Sequence, residues 1–164
     1  MHEQDVLVMS HDEAMVPGQG LAQHLVMLAA YLKELQVQSH LIHLNYEGSN
    51  FLEMHKFLKK RYERHLEQFD VVGEHIRAMD FMMPLCSCGL KDALGKCFNN
   101  VESHEGRSML LTYHQNLCDL CELACLIEPL AREMKALDIA NYLAELMADT
   151  NKACWYIKAS LRCG

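Results

Sequence analysis

Four side chains with metal-binding chemistry stand at telling intervals in residues 43–74, HLNYEGSNFLEMHKFLKKRYERHLEQFDVVGE: His43, His55, Asp70 and Glu74. Two imidazoles and two carboxylates make a mixed nitrogen and oxygen donor set, suited to iron, manganese or zinc rather than to calcium or magnesium. Asp70 and Glu74 are four apart, so on a helix they share a face and can grip one ion. His55 lies about 60° from Asp70 around the same helix, but the intervening rise separates them by roughly 22 Å. One chain cannot close this site. Two copies of the helix packed antiparallel about a two-fold axis close it twice, His55 of each meeting the partner's Asp70 and Glu74.

The charge pattern points to the same pairing. Residues 50–62 carry Lys56, Lys59, Lys60 and Arg61 against Glu53, a net of +3, and residues 63–75 carry Glu63, Glu67, Asp70 and Glu74 against Arg64, a net of −3. Antiparallel pairing lays basic against acidic, whereas parallel pairing opposes like charges. The alternative is a solvated helix with an accidental charge gradient. A di-iron centre inside one ferritin-type bundle needs glutamate and histidine three apart, and the chain contains no Glu-x-x-His.

The elements that must position these ligands read as helices. Apolar residues at 21, 25, 28, 32, 35, 42 and 46, broken only by Ser39, predict a long amphipathic helix from Leu21. Gly48 supplies a stop, and Asn50 with Glu53 resembles a capping box for a second helix over residues 51–79. The short turn makes the two antiparallel neighbours and brings His43 near His55. Residues 80–100, with Pro84, Gly89 and Gly95, read as a long crossover holding one short helix around Leu90. A third helix repeats at 110, 113, 117, 120, 124, 127, 131 and 134, interrupted and bent by Pro129. A fourth starts near Asp138 as N-cap and repeats at 139, 143, 146, 153, 157 and 161. The expected fold is all-α, a four-helix bundle with a long crossover between its second and third long helices.

Composition bounds the setting. A chain of 164 residues, 51% apolar, is long enough for one domain and short for two. The longest apolar run, Leu25 to Leu32, is too short to span a bilayer, and the N-terminus lacks signal-peptide order. A cytoplasmic protein with reduced thiols is expected, with no membrane partner. Residues 1–16 read as a solvated arm, acidic through Glu3, Asp5, Asp12 and Glu13.

The order His43, His55, Asp70, Glu74, with Asn45, Gly48 and the Asn50-Phe51 pair between, resembles the ferroxidase signature of the Dps family, the mini-ferritins. The terminal Cys154-Trp155-Tyr156-Ile157 is similar to that family's last helix, and the helical layout extends the resemblance over residues 20–162. The resemblance implies a ferritin-like homododecamer that binds iron(II) between subunits, oxidises it, commonly with hydrogen peroxide, and stores iron(III), protecting against oxidative damage. Two positions depart from the pattern. Lys59 stands where a further carboxylate is usual, and an ammonium offers no lone pair to a metal. Leu44 replaces a tryptophan beside the first histidine, and Trp155, which could stand in for it, reads first as core. The alternatives are a Dps-like shell with weakened or lost ferroxidase activity, or a cysteine-based zinc or redox protein. With an acidic arm and a net charge of −7, weak or no DNA binding is expected.

Cys118, Cys121 and Cys125 fall beside the third helical stripe and read as buried small hydrophobes. Cys86, Cys88 and Cys97, in the crossover, are the better candidates for metal or oxidation. Of the remaining histidines, His40 shares a helical face with His43, while His24, His65, His75, His104 and His114 read as surface or core.

Overall fold

Leu21, Leu25, Leu28, Leu32, Leu35, Ile42 and Tyr46 are all buried, as the first stripe requires. Each fully buried leucine contributes about 2 kcal/mol relative to an exposed one. All but Tyr46, the C-cap, line helix α1, Gln19–Asn45, in a computed structural model that describes residues 16–162. Ser39 continues the stripe without breaking it: it is fully buried, and its hydroxyl donates to the Leu35 carbonyl at 2.6 Å. The N-terminal arm lies, but for Val16, outside the described residues.

The other elements are α2 (Phe51–Ala78), α3 (Ser87–Leu94), α4 (Gly106–Glu133) and α5 (Leu137–Leu161). Helix α1 packs on α2, α4 and the short α3, and α4 packs on α5. The crossover with its short helix is as expected. A buried amide ties it down: Asn116 of α4 donates Nδ2–H to Gln38 Oε1 at 2.9 Å and to the Asn99 carbonyl at 2.8 Å. Its Oδ1 accepts from the Asn99 backbone N–H at 3.0 Å and from the Tyr31 hydroxyl at 3.3 Å. Every polar atom of that side chain has a partner, which removes the cost of burying it.

Several local expectations are corrected. Asn50 caps α2 by position, but its side chain makes no cap bond; Oδ1 instead accepts the Tyr46 hydroxyl at 2.6 Å. Helix α4 runs through Pro129 without ending. Helix α5 is capped at Ala136, and Asp138 falls in its first turn. Met134, at 45% exposure, lies off the core that its stripe predicted. Trp155 is 63% exposed and is not core. Cys118 and Cys121 are half-buried and Cys125 exposed, because the buried positions of that face are Leu117, Leu120 and Ala124.

Candidate metal centre

The turn between α1 and α2, residues 46–50, is braced from two sides. The Tyr46 hydroxyl closes on Asn50, and Gly106, the first residue of α4, sits so close that a Cβ there would lie 2.9 Å from the Glu47 carbonyl oxygen. Only glycine allows α4 to start against this turn. The braced turn fixes the last turn of α1, which carries His43, against the second turn of α2, which carries His55.

The two histidines are locked to one another. His43 Nδ1 lies 2.8 Å from the backbone carbonyl oxygen of His55, and His55 Nδ1 lies 2.9 Å from that of His43. A carbonyl oxygen only accepts, so each ring donates its Nδ1–H and each Nε2 keeps a free lone pair. Orientation of a ligand imidazole by a bond from its other nitrogen is how metal-binding histidines are held. The rings stack with centroids 3.7 Å apart and planes 18° from parallel. His43 is 7% exposed and His55 half-buried.

Aromatic neighbours complete this end of the hairpin. Tyr62 meets His43 edge-on at 5.3 Å and stacks on His40 at 4.0 Å, and Phe51 lies 5.0 Å from His55. Phe51 entered the sequence reading only as part of the Asn50-Phe51 pair and Tyr62 not at all, although positions four before and seven after His55 fall on its helical face.

Asp70 and Glu74 are exposed on the far half of the same helix, roughly 22 Å and 28 Å along its axis from His55. Neither forms an ion pair among the described residues. The structure therefore brings together two of the four expected ligands and leaves the two carboxylates apart from them within the chain. Lys59 is exposed one turn beyond His55, with Nζ 3.9 Å from Glu63 Oε1 of its own helix.

The bundle centre holds a different polar group. Arg61 is buried, donates to Asp149 Oδ2 of α5 at 3.1 Å, and so does not add to the charge of the exposed α2 face. The exposed basic half is reduced to Lys56, Lys59 and Lys60 against Glu53. His65 is fully buried and donates Nδ1–H to Gln68 Oε1 at 3.0 Å, which leaves Nε2 to accept the Tyr113 hydroxyl at 2.7 Å. Burial, reinforced by the Arg61 charge, lowers the His65 pKa to about 3, so the ring is neutral. Burial pushes the Tyr113 hydroxyl up to about 12. A guanidinium in this position, with Asp149 already paired to it, opposes a metal cation in the bundle interior.

No protein-family model matches the chain, and no curated protein matches it in sequence. Solved structures match it closely in shape. The Dps protein from Vibrio cholerae O1, described as a member of a broad superfamily of ferritin-like diiron-carboxylate proteins, is 21% identical, with 88% of this chain and 91% of that one covered at a TM-score of 0.81. Antigen TpF1 from Treponema pallidum is 21% identical, with coverages of 90% and 97% and a TM-score of 0.82. An archaeal Dps homologue from Halobacterium salinarum is 20% identical, with coverages of 90% and 82% and a TM-score of 0.83. The chain has the all-α, ferritin-like fold of the Dps proteins.

Proposed function

We propose that this chain is a Dps-type ferroxidase subunit, taking iron(II) as its substrate at two identical sites shared by an antiparallel pair of copies. The reciprocal bonding of His43 and His55 carries the reading. It costs both rings their Nδ1 protons as free donors and leaves two Nε2 lone pairs in fixed positions beside the α1–α2 turn. A histidine pair held only for packing has no need of matched tautomers.

The partner's Asp70 and Glu74 complete each site. Their carboxylates are exposed and free of ion pairs among the described residues, as groups awaiting a cation should be. Imidazole nitrogen suits iron(II), while anionic oxygen favours the harder iron(III), so the mixed set eases loss of one electron. With hydrogen peroxide as oxidant, two iron(II), one peroxide and two protons give two iron(III) and two waters. The product passes into the cavity of a homododecamer, which is the assembly the resemblance implies, and both ingredients of hydroxyl-radical formation are consumed.

Lys59 favours a second form of this reading, in which one iron binds firmly and a second weakly or not at all. Its ammonium stands one turn beyond His55, where its only ion-pair partner among the described residues is the exposed Glu63 at 3.9 Å. Anaerobic calorimetric titration with iron(II) tests both forms. The expected result is saturation at one or two irons per chain, abolished in a His43→Ala/His55→Ala variant; no binding near that stoichiometry ends the ferroxidase reading.

A further inference from the structure

The seam between α4 and α5 holds three soft donors that the ferroxidase reading does not use. His114 and Cys118 are four apart on α4 and therefore face the same way. Cys154 reaches them from α5. Cys118 Sγ lies 3.9 Å from His114 Nδ1 and 4.0 Å from Cys154 Sγ, and one ligand atom from each of the three residues falls within 4.8 Å of the others. We propose that His114, Cys118 and Cys154 form a binding site for a thiophilic d10 cation, zinc(II) or copper(I), separate from the iron site.

The spacing suits a single ion. Metal–sulfur bonds of ~2.3 Å and metal–nitrogen bonds of ~2.0 Å around one centre put neighbouring ligand atoms about 3.5–4.0 Å apart. Two of the three edges already have that length and the third is within 4.8 Å, so binding asks only for small side-chain rotations. Two thiolates and an imidazole, with no carboxylate among them, select soft cations and discriminate against calcium, magnesium and manganese. The three donors have little else to hold them: among the described residues, the His114 ring has no hydrogen-bond partner apart from the Cys118 sulfur. All three side chains are half-buried, which shields an ion on the protein side and leaves one face open for water or a fourth ligand.

Sequence reasoning placed the metal-capable thiols elsewhere. Cys86, Cys88 and Cys97 are exposed in the crossover, and no His, Cys or carboxylate cluster forms around them among the described residues. Cys121, three residues after Cys118, points its thiol to Asn151 Oδ1 at 3.4 Å. A redox pair is the competing reading for Cys118 and Cys154. The sulfur–sulfur distance of 4.0 Å is that of two separate thiols, and the His114 ring beside Cys118 supplies a third donor that a disulfide does not use.

Titration of the reduced, full-length protein without oxygen tests the site. Zinc(II), cobalt(II) as its spectroscopic stand-in, and copper(I) delivered from a chromophoric chelator are added separately. The expected result is one equivalent of copper(I) per chain and a thiolate-to-cobalt charge-transfer band that saturates at one equivalent, the thiolate signature separating this site from the histidine and carboxylate set, which also takes zinc(II) and cobalt(II). Affinity should fall at least tenfold in Cys118→Ser, Cys154→Ser and His114→Gln variants whose circular dichroism matches the parent. The copper(I) affinity and the thiolate-to-cobalt band should be unchanged in Cys86→Ser/Cys88→Ser and in His43→Ala/His55→Ala, which separates this site from the iron site. Absence of a thiolate signature, retention of full affinity in the three variants, or loss of it with the crossover thiols would overturn the proposal. So would a Cys118–Cys154 disulfide in protein that takes up no metal after reduction.

Discussion

At the scale of single residues, spacing on a helix converts directly into angle and rise, and of the four candidate ligands that it singled out the structure brings His43 and His55 together and keeps Asp70 and Glu74 apart from them within the chain. The reciprocal donation of each Nδ1–H to the other residue's backbone carbonyl could not be read from spacing, since the approach of those two carbonyls is set only by the folded turn. Lys59 is the residue whose replacement should say most about iron. Lys59→Asp changes each proposed site by two charge units and adds a ligand oxygen, so iron(II) affinity in an anaerobic titration should rise about tenfold or more, equivalent to roughly 1.4 kcal/mol. Unchanged affinity would make Lys59 a bystander. His65 carries a pH signature. Its folded pKa, about 3, lies below the ordinary histidine value. Its neutral ring therefore stabilises the fold fully above about pH 6.5, and that contribution declines as pH falls toward 3 because the unfolded chain takes up the proton first. Denaturant titrations at pH 7 and pH 5 should show the wild type losing more stability than a His65→Gln variant. Equal losses would mean that another group titrates in that window.

At the scale of elements, four long helices, the short turn and the crossover helix could be read from apolar periodicity. The failures are local competitions that a pattern cannot weigh. Tyr46 captured the Asn50 side chain that a capping box would have used. Cys118 and Cys121 sit one helical step aside from Leu117 and Leu120, enough to move them from core to seam. Helices α2 and α4 end without a glycine: Asp80 and Lys135 take φ of 66° and 59°, and the next residues donate back to Ile76 and Ala131. A left-handed conformation costs a side-chain-bearing residue about 1 kcal/mol that glycine avoids. Asp80→Gly and Lys135→Gly should therefore each raise stability by up to that amount in a denaturant titration, and a loss would show that the side chain makes a compensating contact. At the anchor of the crossover on α4, Asn116→Ala removes the common partner of Gln38 and Asn99. Unfolding should become easier by about 2 kcal/mol, with faster amide exchange concentrated in residues 96–104. A uniform increase across the bundle would contradict its local role.

At the scale of the whole molecule, no helix among the described residues is long and apolar enough to cross a membrane, and the fold is that of the Dps proteins. The proposed pairing of two copies uses the exposed face of α2, where Leu52 and Leu66 are open to solvent at 63% and 50% beside Lys59, Glu63 and Asp70. Leu66 lies near the midpoint between His55 and Glu74, so an antiparallel two-fold brings the two copies of it close together. Leu66→Glu should reduce the assembly to smaller species in sedimentation, and an unchanged mass would place the two-fold elsewhere. Binding to DNA should be weak or absent; a gel shift that persists at about 150 mM salt would reverse that expectation. The central claim, that each iron site is completed by a partner copy, is tested most directly by complementation. Subunits bearing His43→Ala/His55→Ala are refolded together with subunits bearing Asp70→Asn/Glu74→Gln, and peroxide-dependent iron(II) oxidation is compared with each variant alone. Random pairing gives one intact site in each mixed pair, so activity should return to about a quarter of the wild-type rate from two inactive parents. A mixture no more active than its parents would show that the histidines of one copy and the carboxylates of another do not form a shared site, and would contradict the account.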